Sequence, residues 1–110
     1  MIDCIFCKIT QKKVPADIVG ESEELLIFRD INPKAPTHLL VVPKKHIVSV
    51  RDMLEDDVGL MGRLIFEARN AAQDLGLEGY KLLFNVGRKG GQVVDHVHLH
   101  ILGGWDGNIF

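Results

Sequence analysis

Seven residues, His96-Val97-His98-Leu99-His100-Ile101-Leu102, alternate imidazole with aliphatic side chains. A β-strand turns successive side chains to opposite faces. An extended segment therefore puts His96, His98 and His100 on one side and Val97, Leu99 and Ile101 on the other. A helix would scatter the imidazoles around its circumference, so the alternation predicts a strand. Cα atoms two residues apart on a strand are separated by roughly 6.7 Å, and zinc holds nitrogen at roughly 2.0–2.1 Å. One metal takes two of these rings at most. The row suits three separate tasks: a central nucleophile or base, with a helper on each side. Imidazole changes charge near neutral pH, attacks electrophiles and donates to anions. Capping a half-exposed sheet explains a single histidine, but it is a poor account of three at this period in a chain of five.

Three further groupings carry chemistry. Cys4 and Cys7, the only cysteines, form one Cys-x-x-Cys pair. A redox pair is expected after a strand, opening a helix, and no room for that strand precedes Cys4. A structural zinc site needs two thiolates at this spacing and two further ligands from elsewhere; two free thiols are the third reading. Gly87-Arg88-Lys89-Gly90-Gly91-Gln92 lets backbone N–H groups approach an anion. No helix follows it, so it is not a P-loop, and a hairpin turn has the same composition. Asp30 follows an apolar run; a carboxylate there accepts the hydroxyls of a ribose or caps the turn.

The elements that must position these groups are legible in outline. Phe6 to Lys12 reads as a short helix broken before Pro15. Strands are expected at Asp17–Glu21, Leu25–Arg29, His38–Pro43 and Tyr80–Asn85, with Asn32-Pro33 and Ala35-Pro36 forcing a rigid turn. The run His38-Leu39-Leu40-Val41-Val42-Pro43 reads as a central strand buried on both faces. Leu54, Val58, Met61, Ile65, Ala68, Ala72 and Leu75 recur at helical spacing, predicting one long amphipathic helix packed on the sheet. Glu55, Asp56 and Asp57 favour its start and Gly76 its end; Gly59 and Gly62 allow a close approach to a helix or the sheet. About five antiparallel strands, one long helix and a short N-terminal helix make an α+β domain covering residues 1–110.

The composition fits that size. Hydrophobic residues make up 46% of the 110 and charged residues 25%, an ordinary globular balance. A net charge of −2 without a basic stripe argues against nucleic acid as a partner. No apolar run is long enough for a bilayer and no signal peptide is visible, so a soluble cytoplasmic protein is expected.

The histidine row resembles the His-φ-His-φ-His-φ-φ signature of the histidine triad (HIT) family of nucleotide hydrolases and transferases. Asp30-Ile31-Asn32-Pro33-Lys34-Ala35-Pro36-Thr37-His38, then Val42-Pro43-Lys44-Lys45-His46, and Gly90-Gly91-Gln92 before the triad are similar to its Hint branch. The likeness runs from about Ile5 to Gly104. It implies a HIT-like fold pairing edge to edge into a homodimer. It implies a purine nucleotide site made of Phe6, Ile9, Phe28, Asp30, Ile31, Leu40, Asn85, Gly91, Gln92, Val93, His98 and His100, with Asp30 on the ribose and Phe28 and Ile31 against the base. His38 is placed near the phosphate. Relatives with the N-terminal cysteine pair hold structural zinc with residues matching Cys4, Cys7, His46 and His96; catalysis itself needs no cofactor.

The activity so implied is that of a purine nucleoside phosphoramidase. Neutral His98 attacks the α-phosphorus, an amine or alcohol leaves, and water hydrolyses the nucleotidyl-histidine. The carbonyl of His96 fixes the tautomer of His98, while His100, Asn85, Gln92 and loop amides hold phosphate oxygens. Two departures stand out. Hint proteins have serine, a donor to the leaving group, where this chain has Val93, and Trp105-Asp106-Gly107-Asn108-Ile109-Phe110 does not match the Hint tail that helps select leaving groups. A dinucleoside polyphosphate hydrolase and a nucleotide-binding module with vestigial catalysis are the alternatives.

Overall fold

A computed structural model of the protein describes residues 3–106; of the departing tail, residues 107–110 lie outside the described residues. A five-stranded antiparallel sheet runs in the order β1-β2-β3-β5-β4. Its strands are β1 (Ile18–Glu21), β2 (Leu25–Arg29), β3 (Thr37–Pro43), β4 (Tyr80–Leu83) and β5 (Leu99–Gly103). Two helices complete the domain, α1 (Ile5–Thr10) and α2 (Val58–Asp74). β3 is buried along all but its first residue, as its unbroken aliphatic run predicts.

Each sheet face has its own core. On one, Leu25, Ile27, Leu39, Val41, Leu99 and Ile101 pack against Leu60, Met61, Leu64, Ala68, Ala71 and Ala72 of α2. On the other, Leu26, Phe28, Leu40 and Val42 pack against Cys4, Phe6 and Ile9 at α1.

Several expectations are corrected. α geometry begins at Val58, and Glu55–Asp57, expected at the helix start, form a 3-10 turn that runs into it. The Asp57 carboxylate accepts the Leu54 N–H at 2.9 Å and pairs with Lys45. Met61, Ala68 and Ala72 of the expected stripe are buried, joined by Leu60, Leu64 and Ala71, while Leu54, Val58, Ile65 and Leu75, also expected in the core, are exposed. The helix therefore has a second apolar strip on its outer side. Nor do its glycines serve packing within the chain, since a side chain on Gly62 would meet open space and one on Gly59 only Arg63 of the same helix. Gly76 does end the helix, at φ 72°, with the Leu77 N–H returning to the Ala72 carbonyl at 3.0 Å.

The histidine row departs from a continuous strand. Ladder pairing starts only at Leu99; before it, the Val97 N–H donates to the Ile47 carbonyl at 2.7 Å. The alternation survives nevertheless. Val97, Leu99 and Ile101 enter the α2 core, and the imidazoles face the side of α1. β4 ends at Leu83, short of Asn85, and is an exposed edge strand.

Candidate active site

Register assembles the site. Phe28 faces Leu40 across β2 and β3, Leu40 faces His100 across β3 and β5, and Leu83 of β4 faces His100 from the other side. This row crosses the sheet on the α1 face and forms the floor of two adjoining cavities. The first, about 330 Å³, is lined by Phe6, Ile9, Phe28, Ile31 and Leu40, with Asp30 and His98 at its polar end. The second, about 430 Å³, is lined by Lys34, His38, Asn85 and Gly91. Asp30, Asn32, Val93, His98 and His100 border both, so the apolar compartment opens into the polar one past His98.

Hydrogen bonds fix the imidazole tautomers. His98 Nδ1 lies 2.8 Å from the carbonyl of His96. A carbonyl only accepts, so the proton is on Nδ1 and Nε2 keeps a bare lone pair. The rings beside it form a second chain. The Lys34 N–H donates to His38 Nδ1 at 3.0 Å, which leaves the His38 proton on Nε2, 2.8 Å from His100 Nδ1. His100 then carries its proton on Nε2, a buried donor with no partner among the described residues. An unsatisfied buried donor costs stability, and one aimed into a polar cavity awaits an acceptor. Burial, the larger influence, and the neighbouring His98 and His38 push His100 down to about 4. Burial likewise holds His38 and His98 below the usual histidine range. All three rings are neutral at pH 7.

Phe6 anchors this arrangement from above, its ring edge-on to His98 at 5.1 Å and to Phe28 at 5.7 Å between centroids. Asp30 caps the turn, its Oδ1 accepting the Asn32 N–H at 2.8 Å, and it borders both cavities. Ile31 lines the apolar cavity but is 89% exposed. Asp30, His38 and His100 also bring three donor atoms within 4.8 Å; the hydrogen-bonded chain already accounts for both nitrogens of His38.

Gln92 is the clearest correction. Expected to offer its amide to phosphate, it is 2% exposed and borders neither cavity. Its Nε2 donates to the carbonyls of Val48 at 2.6 Å and Val94 at 2.9 Å, and its Oε1 accepts the Gly87 N–H at 2.9 Å. With its whole amide engaged, Gln92 braces the glycine loop from inside. Asn85 does reach the polar cavity, with Nδ2 donating to the Gly90 carbonyl at 2.9 Å. Gly91, at φ 89°, leaves room for that amide; a side chain there would come within 3.2 Å of it. Residues not singled out from the sequence also contribute. Arg88 ties the loop to Asp95 and to the Gln92 carbonyl, and Lys34 gives the polar cavity a cation. Lys34 stood in the run quoted above, but nothing local distinguished it from a solvated turn lysine.

Cys4 and Cys7, His46, and His96 come together from three places in the chain, their ligand atoms within 4.8 Å of one another. His96 Nε2 donates to the Pro43 carbonyl at 2.7 Å, leaving Nδ1 bare. Cys4 Sγ at 3.3 Å, Cys7 Sγ at 3.5 Å and His46 Nδ1 at 3.1 Å all converge on that nitrogen. One lone pair cannot serve three partners. Tetrahedral zinc with bonds of about 2.0–2.3 Å separates its ligand atoms by roughly 3.3–3.8 Å, so the donor set fits zinc. Burial, and then Cys4, push the Cys7 thiol up to about 11, which disfavours a pair of resting thiolates and is reversed by a coordinated cation.

Comparison with known proteins agrees with this geometry. The protein HitA of Neisseria gonorrhoeae is 44% identical over 104 residues, 94% of this chain and 97% of that one. A solved structure described as a HIT family hydrolase from Legionella pneumophila Philadelphia 1 superposes with a TM-score of 0.92 at 50% identity, covering 94% of this chain and 95% of that one. A Zn-bound histidine triad family protein from Mycobacterium smegmatis matches with a TM-score of 0.83 at 32% identity, over 96% of this chain and 78% of that one. The HIT domain family model matches residues 11–107. With the fold, the imidazole row and these relatives in agreement, the chain belongs to the HIT family.

Proposed function

We propose that the protein is a nucleotide hydrolase of the Hint type, releasing a purine nucleoside 5′-monophosphate from an amine or similar leaving group through a nucleotidyl-histidine. The observation that carries this reading is the bare Nε2 of His98, held by the His96 carbonyl where the two cavities meet. The apolar cavity takes the base, Asp30 the ribose and the polar cavity the phosphate, where His100 Nε2–H and Lys34 meet its oxygens. Nε2 forms a bond to the α-phosphorus. The bond to the leaving group breaks, and its electron pair departs with that group. Val93 has no proton to give and Gln92 is engaged elsewhere, so water supplies the proton. A second water then cleaves the P–N bond and regenerates neutral His98. Zinc at Cys4, Cys7, His46 and His96 supplies a structural staple and takes no part in these steps.

A second reading is favoured by the groove of about 650 Å³ beyond Val93, bordered by Ile5, Lys8, Val48 and Val94. A dinucleoside polyphosphate could lay its second nucleoside there. Parallel assay of an adenosine phosphoramidate and a diadenosine polyphosphate separates the two. Mass spectrometry of the quenched reaction locates the nucleotidyl group: His98 is the expected site, and a label elsewhere overturns the mechanism.

We further propose that the occupant of the β4 edge is a second copy of the chain. The edge is open in this protomer, and Leu82 and Leu83 on it, like Ile65 and Phe66 on α2, are exposed. Unpaired edges with apolar flanks are ordinarily covered. Light scattering should give the mass of a dimer. No described helix is long and apolar enough to cross a membrane, and two free thiols suit the reducing cytoplasm.

A further inference from the structure

Helix α1 presents two kinds of side chain. Cys4 and Cys7, three residues apart, offer sulfur to His46 and His96. Phe6 and Ile9, also three apart, form a wall of the apolar cavity. Six residues are too few to hold a helix by themselves. The ion pair of Lys8 with Asp3 is exposed and adds little. Among the described residues two attachments remain: the small core under Phe6 and Ile9, and the tetrad. The core is interrupted by the cavity itself, so the tetrad is the attachment that does not depend on what the cavity holds.

We propose that metal binding at Cys4, Cys7, His46 and His96 sets the affinity of the neighbouring cavity for nucleoside, by seating α1 and with it Phe6 and Ile9. The inference rests on the nucleotide reading above. Coupling of this kind is reciprocal: nucleotide strengthens metal binding by the factor by which metal strengthens nucleotide binding. It acts on binding, since the wall touches the base and not the phosphorus. A competing route exists, because the metal ligand His96 also lends its carbonyl to His98. That route runs through the backbone to His98 and changes the rate of the chemical step, so the test reads AMP affinity and not turnover.

The test uses the full chain, stripped by chelation and then reloaded with zinc. Calorimetry with AMP should show binding weakened roughly 5- to 50-fold without zinc, within the usual span of coupling between sites. Zinc affinity, read against a chromophoric chelator, should rise by the same factor in saturating AMP. Hydrogen exchange over residues 5–10 should slow on zinc loading. In Phe6→Ala, or in Ile9→Ala should the first variant not fold, AMP should bind with equal affinity whether or not zinc is present. The inference fails if the chain takes up no zinc, if wild-type AMP affinity changes less than twofold, or if the zinc effect persists undiminished in the wall variants. It also fails if circular dichroism shows the metal-free chain globally unfolded, for then the metal supports the whole fold. AMP that binds in neither state overturns the nucleotide reading and the inference with it; AMP that binds equally in both overturns the inference alone.

Discussion

On one side of the sheet, Leu39, Val41, Leu99 and Ile101 meet a 17-residue helix and are sealed by it. On the other, Leu40, Phe28 and Val42, drawn from the same strands, meet six residues of α1 and share their surface with imidazoles and a cavity. The strands serve both sides because β3 is aliphatic at every position from Leu39 to Val42. The α2 side fills its space with carbon, which gives stability and nothing to react with. The α1 side leaves space unfilled, keeps three imidazoles neutral by burial, and leaves the His100 donor without a partner. Stability and chemistry are thus divided between the two faces.

If that division is right, single substitutions should separate the two properties. The largest effect is expected for His98→Ala, which removes the proposed nucleophile: turnover should fall at least about 10³-fold, with the thermal midpoint little changed. Loss of activity through unfolding, seen by circular dichroism, would contradict it. Leu64→Ala should do the reverse. Leu64 is fully buried under the sheet, and emptying such a site costs roughly 2–5 kcal/mol, read by urea unfolding, while kcat per folded molecule stays within about twofold.

Acid should strike the histidine face next. His100 is held down to about 4, and His38 below its ordinary value, both chiefly by burial. In the unfolded chain these rings take up protons near pH 6.5. Between pH 6.5 and 4 the unfolded state therefore binds more protons, so stability is complete above pH 6.5 and is lost as pH falls through that window. His100 contributes at most about 3 kcal/mol to that loss. Unfolding free energies measured at pH 7 and pH 4.5 check this, and a His100→Phe variant should lose part of the difference.

How much of this was legible follows the same division. Period-2 alternation placed Val97, Leu99 and Ile101 in the core and the imidazoles opposite, because facing is set by the backbone whether or not a ladder bond forms. The aliphatic run of β3 showed burial on both faces. The stripe of α2 is legible only in part. Met61, Ala68 and Ala72 are buried as their period predicts, but Val58 and Ile65 match that period as well as Leu60 and Leu64 do, and sequence does not tell a strip facing the core from one facing a partner. Gln92 was misread for a different reason. A glutamine beside glycines suits either an open anion cradle or a buried brace, and only the positions of the Val48 and Val94 carbonyls decide between them. The bare His98 Nε2 and the His38–His100 chain depend on partners such as the Lys34 N–H, which no local pattern announces.

The smallest effect concerns Val93, 80% exposed where both cavities meet the outer groove. Its side chain packs on little, so Val93→Ser should cost the fold only a few tenths of a kcal/mol, as an exposed substitution does. In the proposed reaction the new hydroxyl would stand beside the bond that breaks. A single neutral hydrogen bond is worth about 1 kcal/mol, and made only as charge develops on the departing atom, it should raise kcat about fivefold. The gain should be largest for a poor leaving amine and vanish for an activated phenol, which needs no proton. Steady-state kinetics over a series of leaving groups reads this directly. An equal gain across the series would place the hydroxyl on the phosphate, and no gain would mean that water already meets the leaving group's need at this open corner of the site.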